Sequence, residues 1–188
     1  MIMGVRGSRK GLKKSDEYKE PDLLVCVDDV YRKAKKSGFY DGNVLKIEDL
    51  ISTFSDIEIE YKDMDSADSG SLSYDKKKCK WIMCVNRKHN IKRQRFTMAH
   101  ELGHYILHKE KNVEFVDTTF FRNSEKDAVE YNANEFASRL LMPESEVRTL
   151  IDVDGVKNIG NLAEKFNVSA AAMKYRVISL GYKIKGNV

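Results

Sequence analysis

The chain has 188 residues and a formal net charge of +4, with 41% hydrophobic and 33% charged residues. This composition suits one globular core with a small appendage and excludes disorder over the whole length. No apolar run approaches the roughly 20 residues that cross a bilayer, and none follows the basic amino-terminal segment. We therefore expect a cytoplasmic protein with no membrane partner and no secretory leader.

Basic residues and cysteines are unevenly placed along the chain. Five basic residues precede the first acidic residue, Asp16, and glycines lie among them, so residues 1–20 are predicted to form a basic flexible tail. The three cysteines, Cys26, Cys79 and Cys84, form neither an even set nor a CxxC pair. Such cysteines are typical of reduced, buried thiols in a cytoplasmic protein.

The first half of the chain combines two helices with a small group of strands. Helical spacing of apolar residues begins at Leu23 and stops at Ser37-Gly38, and a shorter helix is predicted around residues 47–54. The alternation in 57–61 predicts a half-buried strand. Two further strands are expected near Leu72–Tyr74 and Cys79–Val85, after a polar turn at 65–71.

The second half is predicted to be mainly helical. A long amphipathic helix is expected from about Gln94 to His108, whereas residues 111–123 fit no single period. Another helix should open at Ser124 and end at about Met142, because Pro143 follows. The last 35 or so residues indicate two short helices around a turn. The fold class is therefore α+β, mainly helical, with a small antiparallel or mixed sheet.

The long helix contains the most informative residues, His100-Glu101-Leu102-Gly103-His104. Positions i and i+4 of a helix lie one above the other, so both imidazoles can bind one metal ion. Glu101 is turned about 100° from His100, which suits a carboxylate that takes a proton from water at the metal. Gly103 is unfavourable in mid-helix, so we expect a close approach of another backbone there.

A catalytic zinc site needs a third protein ligand and one open position. His108 lies one more turn along the same straight helix, about 6 Å beyond His104, which is too far for a zinc bond. The next helix is a better source, because Glu130 and Asn134 are i,i+4 neighbours beside its apolar face. We expect Glu130 to bind the metal and Asn134 to orient a ligating imidazole, with His108 beside the ligands or on the surface.

Together these stretches resemble the ImmA/IrrE metallopeptidases, which are gluzincin-like zinc enzymes of bacteria and their mobile elements. The similar parts are Arg95–His108, the pattern Glu130-x-x-Ala133-Asn134-x-Phe136-Ala137, and Leu140–Pro143. The resemblance implies a zincin-like metalloprotease domain in which His100, His104 and Glu130 bind Zn²⁺ and Glu101 is the general base. Asn132 stands where members often have an acidic residue, and the metal site does not depend on it.

The carboxy-terminal segment is typical of a helix-turn-helix. Ser169 is a good N-cap and Gly181 a good residue after a helix end, and apolar residues between them can form a small core. Lys174 and Arg176 on the second helix are candidate contacts to DNA or to a protein partner. Packing against the protease body is the favoured role, because Ala170–Ala172 offer no polar groups to read base edges.

We therefore predict three parts, namely a tail over 1–20, a zinc metallopeptidase domain over 21–149 and a helix-turn-helix-like segment over 150–188. The resemblance implies a narrow substrate, a helix-turn-helix repressor of a mobile element or stress regulon. The strand at Cys79–Val85 is expected to pair with an extended substrate. His89, Tyr105 and Tyr131 are open candidates to assist the oxyanion.

Two alternative functions come from other classes of protein. One is a regulator that binds a repressor or DNA without catalysis, and the other is the toxin of a toxin–antitoxin pair. The protease is favoured because Glu101 has no evident structural task.

Overall fold

The computed structural model describes residues 24–109, 114–116 and 124–184. The predicted tail and most of the ambiguous stretch 111–123 lie outside the described residues. In chain order the elements are α1 (Val27–Lys36), β1 (Tyr40–Asp41), β2 (Val44–Leu45), α2 (Ile47–Ser52), β3 (Ile57–Lys62), β4 (Gly70–Asp75), β5 (Lys80–Asn86), α3 (Ile91–His108), β6 (Glu114–Val116), α4 (Ser124–Leu141), α5 (Glu144–Arg148), a π-helical turn (Thr149–Val153), α6 (Ile159–Phe166) and α7 (Ala170–Ser179). None of the described helices is long and apolar enough to cross a membrane.

A four-stranded mixed sheet lies under the helices, with the strand order β3-β5-β4-β6. Strand β5 runs parallel to β3 and antiparallel to β4, and β4 pairs with β6. Every residue of β5 from Trp81 to Asn86 is buried, as expected for the centre of a sheet. The expected α+β class with a mixed sheet is therefore confirmed. The expected pairing of this strand with a substrate is wrong, because both of its edges already have neighbours.

The turn before β5 differs from the sequence prediction. The strand begins at Lys80, and Cys79 lies in the turn with a positive φ of 52° and an exposed side chain. Cys26 is only partly buried at the start of α1, so the expected burial of the thiols holds for Cys84 alone. A run of apolar residues indicates that a strand is present, but it does not show at which residue the preceding tight turn ends.

Helices α3 and α4 pack directly against each other. Helix α3 starts at Ile91, earlier than predicted, because the Asn90 side chain caps it by accepting a hydrogen bond from Arg93 N at 3.0 Å. Gly103 lies against α4, and a Cβ atom at this position would be 3.2 Å from Ala133 Cα. The missing side chain thus lets the two backbones approach, as the sequence suggested.

The carboxy-terminal helices α6 and α7 pack on each other and on the rest of the chain. Ser169 caps α7 by accepting a hydrogen bond from Ala172 N, and Gly181 has a positive φ just after the helix end. The small core between them consists of buried apolar residues: Leu162, Phe166, Val168, Met173 and Val177. The short β1–β2 pair and the π-helical turn were not predicted. The division of the chain into domains stays a prediction.

Candidate metal centre

Helix α3 brings His100 and His104 together on one face. Both side chains are buried, and their Nε2 atoms are 3.0 Å apart. The rings meet edge to face, with centroids 4.6 Å apart. The i,i+4 spacing read from the sequence therefore directs both nitrogens to one point.

Helix α4 supplies the third group. One carboxylate oxygen of Glu130 lies 3.3 Å from His100 Nε2, and the other lies 3.5 Å from His104 Nε2. Burial raises the pKa of the Glu130 carboxyl, but hydrogen bonds and charge from the two histidines outweigh it, so the pKa is lowered overall. Glu130 is thus held as a carboxylate that faces both rings.

The three side chains fit a metal ion. Their ligand atoms all lie within 4.8 Å of one another, and two imidazoles with one carboxylate are a donor set that divalent transition metals prefer. Ligands of a tetrahedral zinc ion, with bonds of about 2 Å, lie about 3.3 Å apart. The two distances to Glu130 match this value, and the nitrogen pair is only slightly closer. The predicted ligands thus come together without His108.

Asn134 contacts His100, whereas His108 lies beside His104. The Nδ1 atom of His100 is 3.1 Å from Asn134 Oδ1, so the ring N–H can donate a hydrogen bond to the amide oxygen. This contact fixes the orientation of the ring, with Nε2 on the side of Glu130. The ring of His108 is 6.0 Å from that of His104 by centroids and does not join the three ligand atoms.

Glu101 lies beside the metal ligands on α3 and is only 1% exposed. The start of β4 faces it, because a Cβ atom on Gly70 would be 3.5 Å from Glu101 Oε1 and 2.5 Å from Thr97 Cγ2. Because Gly70 has no side chain, the Glu101 carboxylate can lie directly against the start of β4. The sequence alone does not reveal this role, since Ser69-Gly70-Ser71 has the composition of a turn.

The candidates for oxyanion contact have other partners or positions. The Tyr105 hydroxyl donates to the Asp56 carboxylate at 2.8 Å and 2.9 Å, and burial raises its pKa. The Nε2 atom of His89 is 3.2 Å from the carbonyl oxygen of Ser66. Tyr131 is largely exposed on α4, directly after Glu130. None of them is among the three grouped ligands.

The two basic residues of α7 have different surroundings. Lys174 is exposed, whereas Arg176 is buried and donates from Nε to the carbonyl oxygen of Met142 at 2.9 Å. Its Nη1 atom is also 3.9 Å from Glu135 Oε1. The expected partner contact by Arg176 is thereby corrected, because a guanidinium buried against α4 does not reach a phosphate.

A histidine pair on one helix and a glutamate from the next helix, which together could hold a metal ion, lie beside a mixed sheet, and this arrangement is that of a metallopeptidase-like domain. The family model described as IrrE N-terminal-like domain, Peptidase_M78, matches residues 55–177. The chain belongs to this family.

Two known proteins show how far the similarity extends. Metallopeptidase ImmA of Bacillus subtilis (strain 168) is 30% identical over 113 residues, which is 60% of this chain and 64% of that protein. A solved Mycobacterium tuberculosis transcriptional regulator shares the fold with a TM-score of 0.56 and 18% identity. The match covers 80% of this chain and 46% of the regulator. The chain therefore spans less than two thirds of either protein.

Proposed function

We propose that this protein is a zinc-dependent endopeptidase that cleaves one specific protein. Its substrate is a helix-turn-helix transcriptional repressor of a mobile element or stress regulon, as the resemblance to the ImmA/IrrE enzymes implies. Because a repressor acts on the chromosome, the proposed reaction takes place in the cytoplasm.

One observation carries the proposal. A carboxylate that is almost fully buried, Glu101, lies on the same helix turn as two histidines that meet Glu130. Burial of an ionised carboxylate costs free energy unless hydrogen bonds or a nearby positive charge offset it, and a metal ion held by the neighbouring side chains would supply such a charge. A purely structural metal site needs no such neighbour, whereas peptide hydrolysis needs a base beside the metal.

Each side chain has one task in the proposed reaction. A zinc ion bound by His100, His104 and Glu130 would polarise the scissile carbonyl and lower the pKa of water. Glu101 accepts the proton of the attacking water and returns it to the leaving amine, so the peptide bond is replaced by a carboxylate and an amine. Asn134 keeps the His100 ring in the tautomer whose Nε2 lone pair is available.

The proposal includes a narrow specificity. The relative from Bacillus subtilis is named a metallopeptidase, and its similarity to this chain extends over 64% of its own length. We expect slow or no hydrolysis of generic substrates such as casein, because the enzyme must recognise a folded partner before cleavage. Rapid casein digestion would contradict this specificity.

The test compares new protein N-termini in cells that express wild type or Glu101→Gln at matched levels. Gln preserves the size of the side chain but accepts no proton at neutral pH, so folding and metal content should be retained. We expect one or two termini that depend on wild type and map to a repressor. Zinc content of both purified proteins is the control for the metal site.

The alternatives give different results in the same cells. Identical terminus maps with a zinc-loaded mutant and an unchanged phenotype indicate a non-catalytic regulator. Growth arrest by both proteins, relieved by the product of a neighbouring gene, indicates the toxin of a toxin–antitoxin pair.

A further inference from the structure

A groove of about 1000 Å³ opens in the carboxy-terminal part of the chain, away from the metal ligands. Its wall is formed by α6, α7, the segment before α6 and the segment after α7. The larger aliphatic side chains that line it are Ile151, Val156, Ile159, Leu162, Val177 and Ile184. None of the metal ligands, nor Glu101, lines this groove. A space of this size and character accepts several large apolar side chains.

All charged side chains that line the groove are lysines. Lys157, Lys174 and Lys183 are exposed, and none forms an ion pair within the described residues. The acidic neighbours along the chain do not line it, and the Asp152 carboxylate accepts a hydrogen bond from the Tyr182 hydroxyl at 2.7 Å. The groove therefore combines an apolar floor with a positive rim, which complements an occupant with apolar and acidic faces.

These surroundings favour a protein over DNA as the occupant. The exposed side of α7 presents Ala170, Ala171, Tyr175 and Ile178, and Lys174 is the charged residue among them. Recognition of base edges in the major groove of DNA needs polar side chains. A duplex that contacted the lysines only through its phosphates would leave the apolar floor of the protein groove exposed to water. An amphipathic helix buries its apolar face in such a groove and places its charges at the rim.

We propose that the Lys157–Lys174–Lys183 groove docks an acidic amphipathic helix of the protein substrate. This inference rests on the proposed function, because it assigns the groove to the protein that the enzyme cleaves. Docking at a groove separate from the metal site would restrict cleavage to proteins that carry such a helix, because the enzyme does not hold a peptide that lacks it. The long-range attraction of three lysines for an acidic face also speeds the encounter.

A binding measurement tests the groove independently of proteolysis. Two fluorescein-labelled 18-residue peptides share one helical pattern of leucines, and their polar positions are all Glu in one and all Lys in the other. The full chain is titrated as wild type, as K157E/K174E/K183E, and as the matched control K36E/K76E/K77E, whose lysines are exposed elsewhere. Circular dichroism checks that all three proteins are folded.

We expect the Glu peptide to bind wild type and the control variant alike, with affinity that falls as salt rises. The groove variant should bind it at least about tenfold more weakly and should bind the Lys peptide instead. The inference is overturned if the Glu peptide does not bind wild type, or if both variants bind it equally. Binding of a DNA duplex that only the groove variant loses, without peptide binding, would assign the groove to nucleic acid.

The terminus maps separate the two proposals. If wild type and Glu101→Gln give the same termini while the Glu peptide binds the groove, proteolysis fails and the groove still docks an acidic helix. If the wild-type termini appear equally fast in cells with K157E/K174E/K183E, proteolysis stands and docking of the substrate in the groove is overturned. Loss of these termini with the groove variant, but not with the control variant, supports both.

Discussion

Polar side chains are buried in two regions of the protein, and the groups that they contact differ between the two regions. At the candidate metal centre, His100, His104 and Glu130 direct their ring nitrogens and carboxylate oxygens toward one point. At the junction with the carboxy-terminal helices, Arg95 and Arg176 are buried and donate hydrogen bonds to backbone carbonyls. Arg95 reaches Leu45 O and Asn167 O, and Arg176 reaches Met142 O.

The difference shows why burial of a charged group does not by itself identify a functional site. Burial lowers the pKa of both guanidinium groups, yet each is matched with acceptors at the ends of strands or helices, so it joins two parts of the chain. At the candidate metal centre the three side chains instead meet one another, and a divalent cation would bind all three ligand atoms. We therefore propose a function for the first region and infer a structural role for the second.

The substitution Glu101→Gln should have the largest effect on activity and separate catalysis from metal binding. Loss of a general base slows hydrolysis of the substrate by about 10²–10⁴-fold. The metal ligands are unchanged, so zinc content by mass spectrometry and the unfolding midpoint should match wild type. A Gln variant that cleaves at the wild-type rate would remove the catalytic role of Glu101 and, with it, the contrast between the two regions.

The substitution Arg176→Ala should destabilise the fold while the exposed Lys174→Ala does not. Removing the guanidinium leaves the Met142 carbonyl without this buried donor, which costs about 2–3 kcal/mol of unfolding free energy. Lys174→Ala changes a solvent-exposed side chain of the same helix and should stay within about 0.5 kcal/mol. Urea unfolding measures both. Equal changes in unfolding free energy for the two variants would mean that the buried hydrogen bond of Arg176 does not stabilise the fold.

Sequence reasoning reached the metal centre because its information is local. His100, Glu101 and His104 lie on one predicted helix, and the periodicity of the next helix placed Glu130 and Asn134 on one side of it. The close contact at Gly103 was also expected, since a glycine in mid-helix indicates a neighbouring backbone. These inferences needed only helical geometry.

The remaining features depend on contacts between distant parts of the chain. The apolar run at Trp81–Val85 indicates a strand, but its central place in the sheet follows from β3 and β4, which no local pattern pairs with it. Arg176 looked like a surface residue because its acceptor, Met142 O, is 34 residues away. Gly70 looked like a turn residue because Glu101, which it faces, belongs to another element.

The substitution Asn134→Ala tests how the centre orients its ligands. Loss of the hydrogen bond to His100 Nδ1 frees the ring to rotate, so zinc affinity should fall about 10- to 100-fold. Asn132→Ala is the matched control, since Asn132 is exposed two residues away on the same helix and should leave the affinity unchanged. Competition with a chromophoric chelator gives both affinities. Equal affinities for the two variants would show that Asn134 does not orient His100.

The smallest change in stability is expected for Gly103→Ala, because two effects oppose each other. Alanine favours the helix by ~1 kcal/mol relative to glycine. Its Cβ atom, however, would lie 3.2 Å from Ala133 Cα and from Phe136 Cβ, so α4 must shift by a few tenths of an ångström. Unfolding free energy should therefore change by less than about 1 kcal/mol, while the shift moves Glu130 relative to His100 and weakens zinc binding. Chelator competition and urea unfolding on the same samples measure both quantities. Unchanged zinc affinity would mean that the approach of α3 to α4 serves packing alone and does not set the geometry of the metal centre.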